Sequence, residues 1–298
     1  MSGSPRALYY GPDDQAQPSA ETLPDHRNCY ADQKVTNDVD NDQSDQDVAL
    51  AAAAAGAAVV RGLYQQPMTR YAKSPTDFAT QADLEAEAAI QAVIRAARPD
   101  DTFVGEEGGE SPGQAAGRRW LVDPLCGTLN FAAGTPLAAV NVALVSPDGV
   151  LAAACCDPIA DETFWSDGTA AWLRRTDTDT ELAPSAASTL VDINCDGSGD
   201  FVGPQLVADP QLRSRYGPRV LSSTLPVAWV AAGRRAAYIT DGDRRDSVHF
   251  AAGIAICQAA GCTVTDLGGD PIHTGRGLLI AADPDTHQDL RQLVRNHL

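Results

Sequence analysis

The stretch Trp120-Leu-Val-Asp123-Pro-Leu-Cys126-Gly-Thr128-Leu-Asn130-Phe131 decides the reading of this chain. Trp120–Val122 is expected as a buried strand that stops at Asp123, with a helix opening around Cys126-Gly127-Thr128. Upstream, Thr102–Val104 is a short strand leading into Gly105-Glu106-Glu107, and a Gly/Pro/Ser loop follows over 108–117. Gln81–Arg98 reads as a helix carrying Asp83 and Glu87, preceded by a loop over Tyr71–Phe78. The Ala-rich run that starts near Gln46 suits a helix capped by Ser44 or Asp45, since Ala has the highest helix propensity. Downstream, Val140–Val145 and Val150–Cys156 are strands joined by the turn Pro147-Asp148-Gly149, and Phe164–Trp165 and Ala170–Leu173 continue the sheet. In the second half, strands are expected at Leu190–Asn194, Val220–Leu221, Ala236–Thr240, Thr263–Thr265 and Leu278–Ala281. Helices at Thr224–Ala232, Phe250–Ala260 and Pro284–Asn296 alternate with them. Such alternation implies mixed sheets layered with helices.

Composition bounds the function. The chain has 298 residues, with 22 Lys+Arg against 40 Asp+Glu and a net charge of −18. Binding a phosphate backbone needs clustered basic charge, so no nucleic-acid partner is expected. No apolar run approaches the roughly 20 residues of a bilayer span, and the N-terminus lacks a basic flank followed by an apolar stretch. No membrane role is expected, and seven cysteines without framework spacing suit reduced thiols in the cytoplasm. Residues 1–44, rich in Asp, Gln, Asn, Pro and Ser, are expected as a flexible acidic leader. The polar, aperiodic Thr176–Ser188 then divides an N-terminal α+β half, 45–187, from a C-terminal α/β half, 188–298.

Four stretches carry the chemistry together: Asp77-Phe-Ala-Thr80-Gln-Ala-Asp83-Leu-Glu-Ala-Glu87, Gly105-Glu106-Glu107, Trp120 through Phe131, and Ala251-Ala-Gly253 through Ala259-Ala-Gly261. In order and spacing they resemble the inositol monophosphatase family of Mg²⁺-dependent phosphomonoesterases, over roughly residues 46–298. The resemblance implies an α/β layered sandwich of two mixed or antiparallel sheets alternating with helix layers, and a homodimer. It also implies Glu106 and Asp123 as metal ligands beside the Leu125 carbonyl. Glu107, Asp77 and Thr128 would support the attacking water.

Two positions depart from the family. Its strand-end motif has a second Asp where Cys126 stands, and its later Trp-Asp pair is Val248-His249 here. Thr240 likewise replaces an acidic substrate-binding residue. Thiol and imidazole are poor Mg²⁺ ligands, so the ion that both missing carboxylates serve is expected to be lost or exchanged for a softer one. Side chains that shared a metal point at one spot, which makes Cys126 and His249 a candidate nucleophile and base. Asp123 is the candidate orienter and Asp157 its alternative. A helix N-terminus lowers a thiol's pKa, which favours a Cys126 thiolate. The backbone N–H groups of Gly127 and Thr128 are oxyanion-hole candidates, and Glu106 and Glu107 are candidate substrate-binding residues. Cys155, Cys156, Cys195, Cys257 and Cys262 are expected to serve only packing.

With that departure the sequence looks like the Cys/His/Asp Dieckmann cyclases of polyketide–peptide antibiotic assembly. The resemblance implies a metal-free, cofactor-free release of a β-ketoacyl-aminoacyl thioester as a tetramate or pyridone ring through a Cys126 acyl-enzyme. A carrier protein would deliver the thioester. Arg213, Arg215, Arg219, Arg234, Arg235, Arg244 and Arg245 offer a basic patch for an acidic carrier. Two alternatives stand beside it: a Mg²⁺-dependent phosphomonoesterase of a sugar or polyol phosphate that keeps Glu106 and Asp123 as ligands, and a non-catalytic binding protein on the same frame.

Overall fold

The computed structural model describes residues 43–74, 77–196 and 201–298. Apart from residues 43 and 44, the expected leader lies outside them. The first helix, α1 (Asp45–Leu63), is capped by Ser44, whose hydroxyl accepts from the Asp47 amide at 3.4 Å. A hairpin of β1 (Arg70–Ser74) and β2 (Asp77–Thr80) leads into α2 (Gln81–Ala97). The chain continues through β3 (Thr102–Gly105), β4 (Gly109–Ser111), β5 (Arg119–Cys126), the single turn α3 (Thr128–Ala132), β6 (Ala139–Ser146), β7 (Gly149–Asp157), β8 (Glu162–Ser166), β9 (Ala171–Arg175) and β10 (Thr178–Glu181). The second half runs β11 (Leu190–Ile193), α4 (Val202–Ala208), α5 (Pro210–Arg215), β12 (Gly217–Val220), α6 (Leu225–Ala231), β13 (Ala237–Thr240), α7 (Ala251–Ala259), β14 (Thr263–Thr265), β15 (Leu278–Ala281) and α8 (Pro284–Arg295).

Strands β3 to β10 form an eight-stranded sheet in the order β10-β9-β8-β7-β6-β5-β3-β4, parallel only at β3–β5. The period-two alternation of β6 and β7 divides their side chains between two cores. Val140, Val142, Leu144, Ala152, Ala154 and Cys156 join α1 and α2, whereas Ala139, Ala143, Ala153 and Cys155 join α6 and α7. Tyr238, Leu278 and Ile280 of the second sheet, ordered β12-β11-β13-β15-β14, close that inner core from the opposite side. Its other face, with Val191, Ile193, Ile239 and Leu279, packs on Leu206, Leu212, Leu290 and Leu293 of α4, α5 and α8. The result is five alternating layers, α/β/α/β/α, as the alternation of elements implied.

Small residues bring α1 close to α2: a Cβ on Gly56 would lie 2.6 Å from Ile90 Cδ1. Among the described helices α1 alone is long and apolar enough to cross a membrane. Its apolar face (Val48, Ala49, Ala52, Ala53, Val60) is buried against α2 and the first sheet.

Several expectations need correction. The segment read as a loop over Tyr71–Phe78 contains the β1–β2 hairpin, and the aperiodic Thr176–Ser188 contains β10. Both β1 and β10 are exposed along their whole length, so no buried face imposes an apolar alternation. Helices α4 and α5 were not anticipated, and β5 runs on through Asp123 to Cys126.

One buried ion pair holds the second sheet. Asp192 on β11 is fully buried, and Arg235 Nε donates to its Oδ2 at 2.5 Å while Oδ1 has no partner. Burial pushes the Asp192 carboxyl up, against the pull of Arg235. Replacing Arg235 by Met strands that carboxylate and is expected to cost about 3–5 kcal/mol of unfolding free energy at neutral pH. A carboxyl whose folded pKa is raised binds its proton more tightly when folded. The deficit of the variant therefore shrinks as pH falls through the folded pKa, which urea titrations at pH 7 and pH 5 measure.

Candidate active site

The site begins with an irregularity in β5. Asp123 pairs with Asn141 of β6 and Cys126 with Ala139, so three steps on one strand meet two on the other. In a regular strand residues three apart face opposite sides; the extra residue returns Cys126 to the side of Asp123. Pro124, which has no amide proton to donate, lies within the irregularity. Gly127 follows with φ +108°, and a Cβ there would meet the Leu137 carbonyl at 2.7 Å, so the turn into α3 admits only glycine. The far side comes from the second half of the chain. Ser223 Oγ donates to the Cys126 carbonyl at 3.3 Å, and Asn130 Nδ2 donates to the Ser222 carbonyl at 2.7 Å.

His249, just ahead of α7, reaches across to this strand end. Its Nδ1 is 2.6 Å from Asp123 Oδ2 and 3.9 Å from Glu106 Oε2. Asp123 is fully buried, and its Oδ1 accepts from the Leu125 amide at 3.0 Å. Asp123, Cys126 and His249 each offer a ligand atom within 4.8 Å of the others'. Cys126 and His249 line a cavity of about 330 Å³ whose wall also includes Glu106, Gly127, Thr128, Tyr238 and Arg244. Asp157 does not enter this cluster: it caps the turn after β7, accepting from the Ile159 and Ala160 amides at 2.9 Å. Both amides donate to its Oδ1, and His249 takes Asp123 instead.

Three supporting residues went unassigned in the sequence. Thr128 Oγ1 lies 2.8 Å from Asp83 Oδ1, whereas Asp77 sits exposed at the start of β2, on the cavity rim. Asp83 also closes a capping box with Thr80, and that helix-start spacing was its visible signal. Glu87 accepts from the Glu107 and Gly108 amides at 2.8 and 2.6 Å and shapes the turn that presents Glu106. Lys73 on β1 donates to Glu106 at 3.0 Å and Glu107 at 2.6 Å. Nothing in the spacing of residues 73, 106 and 107 marks that pairing.

Electrostatics correct the thiolate expectation. Burial pushes the Cys126 thiol well up, and the Asp123 and Glu106 charges push it further. The α3 turn, five residues long, does not offset them. Burial opposes charge on His249, but the hydrogen bond and charge of Asp123, with Glu106 behind, push it up to about 9. Burial and the neighbouring Asp123 push Glu106 up to about 8. Without a cation, the surroundings thus favour the protonated thiol of Cys126 and the protonated form of His249, which hydrogen-bonds Asp123. The expected basic patch is largely committed to internal pairs: Arg215 with Asp289, Arg234 with Glu162, Arg235 with Asp192 and Arg245 with Asp243.

Comparison with known proteins bears on what this site does. The sequence profile of the Inositol monophosphatase family matches residues 41–298. An inositol-1-monophosphatase of Rhizobium meliloti is 34% identical over 75% of this chain and 85% of its own length. The Nus factor SuhB of Pseudomonas aeruginosa is 30% identical over 76% of this chain and 86% of its own. The crystal structure of the suppressor protein SuhB from Bartonella henselae superposes with a TM-score of 0.75 at 28% identity, covering 85% of this chain and 98% of that one.

These relatives overturn the cyclase expectation, with its tetramate or pyridone ring and antibiotic pathway: they are named inositol monophosphatase or SuhB. The expectation of no cofactor falls too, because members of the family use Mg²⁺ and Asp123, Cys126 and His249 gather as a candidate metal site. From the profile match and the identity to the Rhizobium enzyme, this chain belongs to the inositol monophosphatase family.

Proposed function

We propose that the protein is a divalent-cation-dependent phosphomonoesterase of a sugar or polyol phosphate, with a cation site altered by Cys126 and His249. The observation that supports this reading is the convergence of Asp123, Cys126 and His249, two of which line the cavity beside the Thr128 that pairs with Asp83. The donor set fits a cation on chemical grounds. Glu106, Asp123 and the Leu125 carbonyl are oxygen donors suited to Mg²⁺. Asp123, Cys126 and His249 offer the mixed O/S/N set that favours a softer ion such as Zn²⁺. Such a cation supplies charge neutralisation at the phosphate and acidification of the attacking water.

The chain's own residues do the positioning. Asp83 accepts the Thr128 hydroxyl proton, which leaves the Thr128 oxygen to accept from a water in the cavity. Glu87 fixes the turn that aims Glu106, and Lys73 ties Glu106 and Glu107 together by donating to both. Asp123 holds the His249 ring against the strand end.

The test is phosphate release from myo-inositol 1-phosphate and glycerol 2-phosphate, after chelation and after readdition of Mg²⁺, Mn²⁺, Co²⁺ or Zn²⁺. Chelation should abolish release, and the softer ions should restore it better than Mg²⁺. Release from neither ester with any cation overturns the reading; full restoration by Mg²⁺ alone overturns the altered site.

A further inference from the structure

Arg244 follows β13 on the loop that leads to His249, and it borders two cavities at once. One is the site cavity; the other, of about 460 Å³, is lined by Leu121, Val145, Val150, Ile254 and Ile272 among others. Its guanidinium lies 4.9 Å from the centre of the Phe250 ring. One terminal nitrogen donates to Thr240 Oγ1 at 3.2 Å and to the Asp241 carbonyl. The Nε–H is buried and has no partner among the described residues. No carboxylate among the described residues forms an ion pair with Arg244, although its neighbour Arg245 is paired with Asp243. Arg95 is also half-buried without a carboxylate, but its guanidinium donates to backbone carbonyls, whereas among the described arginines Arg244 alone keeps a buried N–H with no partner. Desolvating a charge without a counter-ion costs free energy that an anionic ligand would return.

We propose that Arg244 is a specificity-determining residue that binds a carboxylate on the alcohol portion of the substrate, so that the preferred ester is a phosphorylated hydroxy acid. The inference rests on the phosphomonoesterase reading for the reaction but not for the binding. Guanidinium nitrogens take the two oxygens of a carboxylate in a planar fork. Charge favours a carboxylate over a second phosphate. Asp196 lines the same cavity, and Asp241 and Asp243 lie within the field of Arg244, so one cation there suits one negative charge better than two. In this assignment the reacting phosphate would occupy the His249 side of the same cavity, and the cavity of about 460 Å³ beyond Arg244 leaves room for substituents on the acid.

The experiment compares 3-phosphoglycerate with glycerol 3-phosphate, which differ by a carboxylate in place of a hydroxymethyl group. The acid should be hydrolysed with a kcat/KM at least about tenfold higher, the scale of a charge-assisted hydrogen-bonded pair. Arg244→Gln should bring that ratio to near one, and Arg244→Lys, which keeps charge but loses the fork, should leave it between. A bisphosphate arm, fructose 1,6-bisphosphate against fructose 6-phosphate, separates the two anions: a larger preference there than for the carboxylate overturns the assignment. Calorimetry with glycerate, which carries no phosphate, reads binding without turnover. Glycerate bound by the parent and not by Arg244→Gln supports the assignment even if no ester is hydrolysed, in which case only the phosphomonoesterase reading falls. Equal kcat/KM on the first two esters, or glycerate binding unchanged in Arg244→Gln, overturns it.

Discussion

Asp123→Asn is expected to lower phosphate release by on the order of 10²–10³-fold, as removal of a single preorganised charge from an active site does. The substitution keeps shape and removes the carboxylate that hydrogen-bonds His249 and belongs to both candidate donor sets. Cation affinity, read by calorimetry, should fall with activity, whereas a merely structural defect would lower the melting temperature alone. Stability also carries a pH signature. In chelated protein, Asp123 helps to raise His249 to about 9, and the stabilisation from that pair is full below the ordinary histidine pKa and fades as pH rises through 9. The melting-temperature gap between parent and variant should therefore be widest near pH 6 and narrow above pH 9.

The second large effect is a change of cation. Replacing Cys126 and His249 together by Asp gives an all-oxygen donor set, which hard Mg²⁺ prefers. The double variant should show a ratio of Mg²⁺-supported to Zn²⁺-supported hydrolysis raised by at least about tenfold over the parent, within the 10–100-fold range by which changes around a metal site alter affinity or activity. Each single replacement leaves a mixed set and should shift the ratio less. An unchanged ratio in the double variant means that these two side chains do not select the ion.

Much of the layer order was legible because buried strands declare themselves. Residues 139–145 and 150–156 alternate between two cores, and β15 matches the buried apolar run at Leu278–Ala281. The exposed β1 and β10 bury nothing, so their sequence is free of pattern. Within the site, Asp123, Cys126, Thr128 and Glu106 were marked by short motifs. The contacts that organise them were not: Lys73 with Glu106 spans 33 residues and Thr128 with Asp83 spans 45, separations that no local spacing encodes. The thiolate expectation failed because a dipole argument was applied to a one-turn helix, where burial and two carboxylates dominate. The functional expectation failed because two altered residues were allowed to outweigh a family pattern running through the rest of the chain.

The reach of His249 to Asp123 has a consequence in time. That contact joins residues 126 apart, from opposite halves of the chain, and the loop it closes must be ordered before it can form. Strand pairs such as β6–β7, joined by a tight turn, assemble with little loop to close. The active centre is thus expected to form late as the chain folds, after the acidic strand ends are already in place.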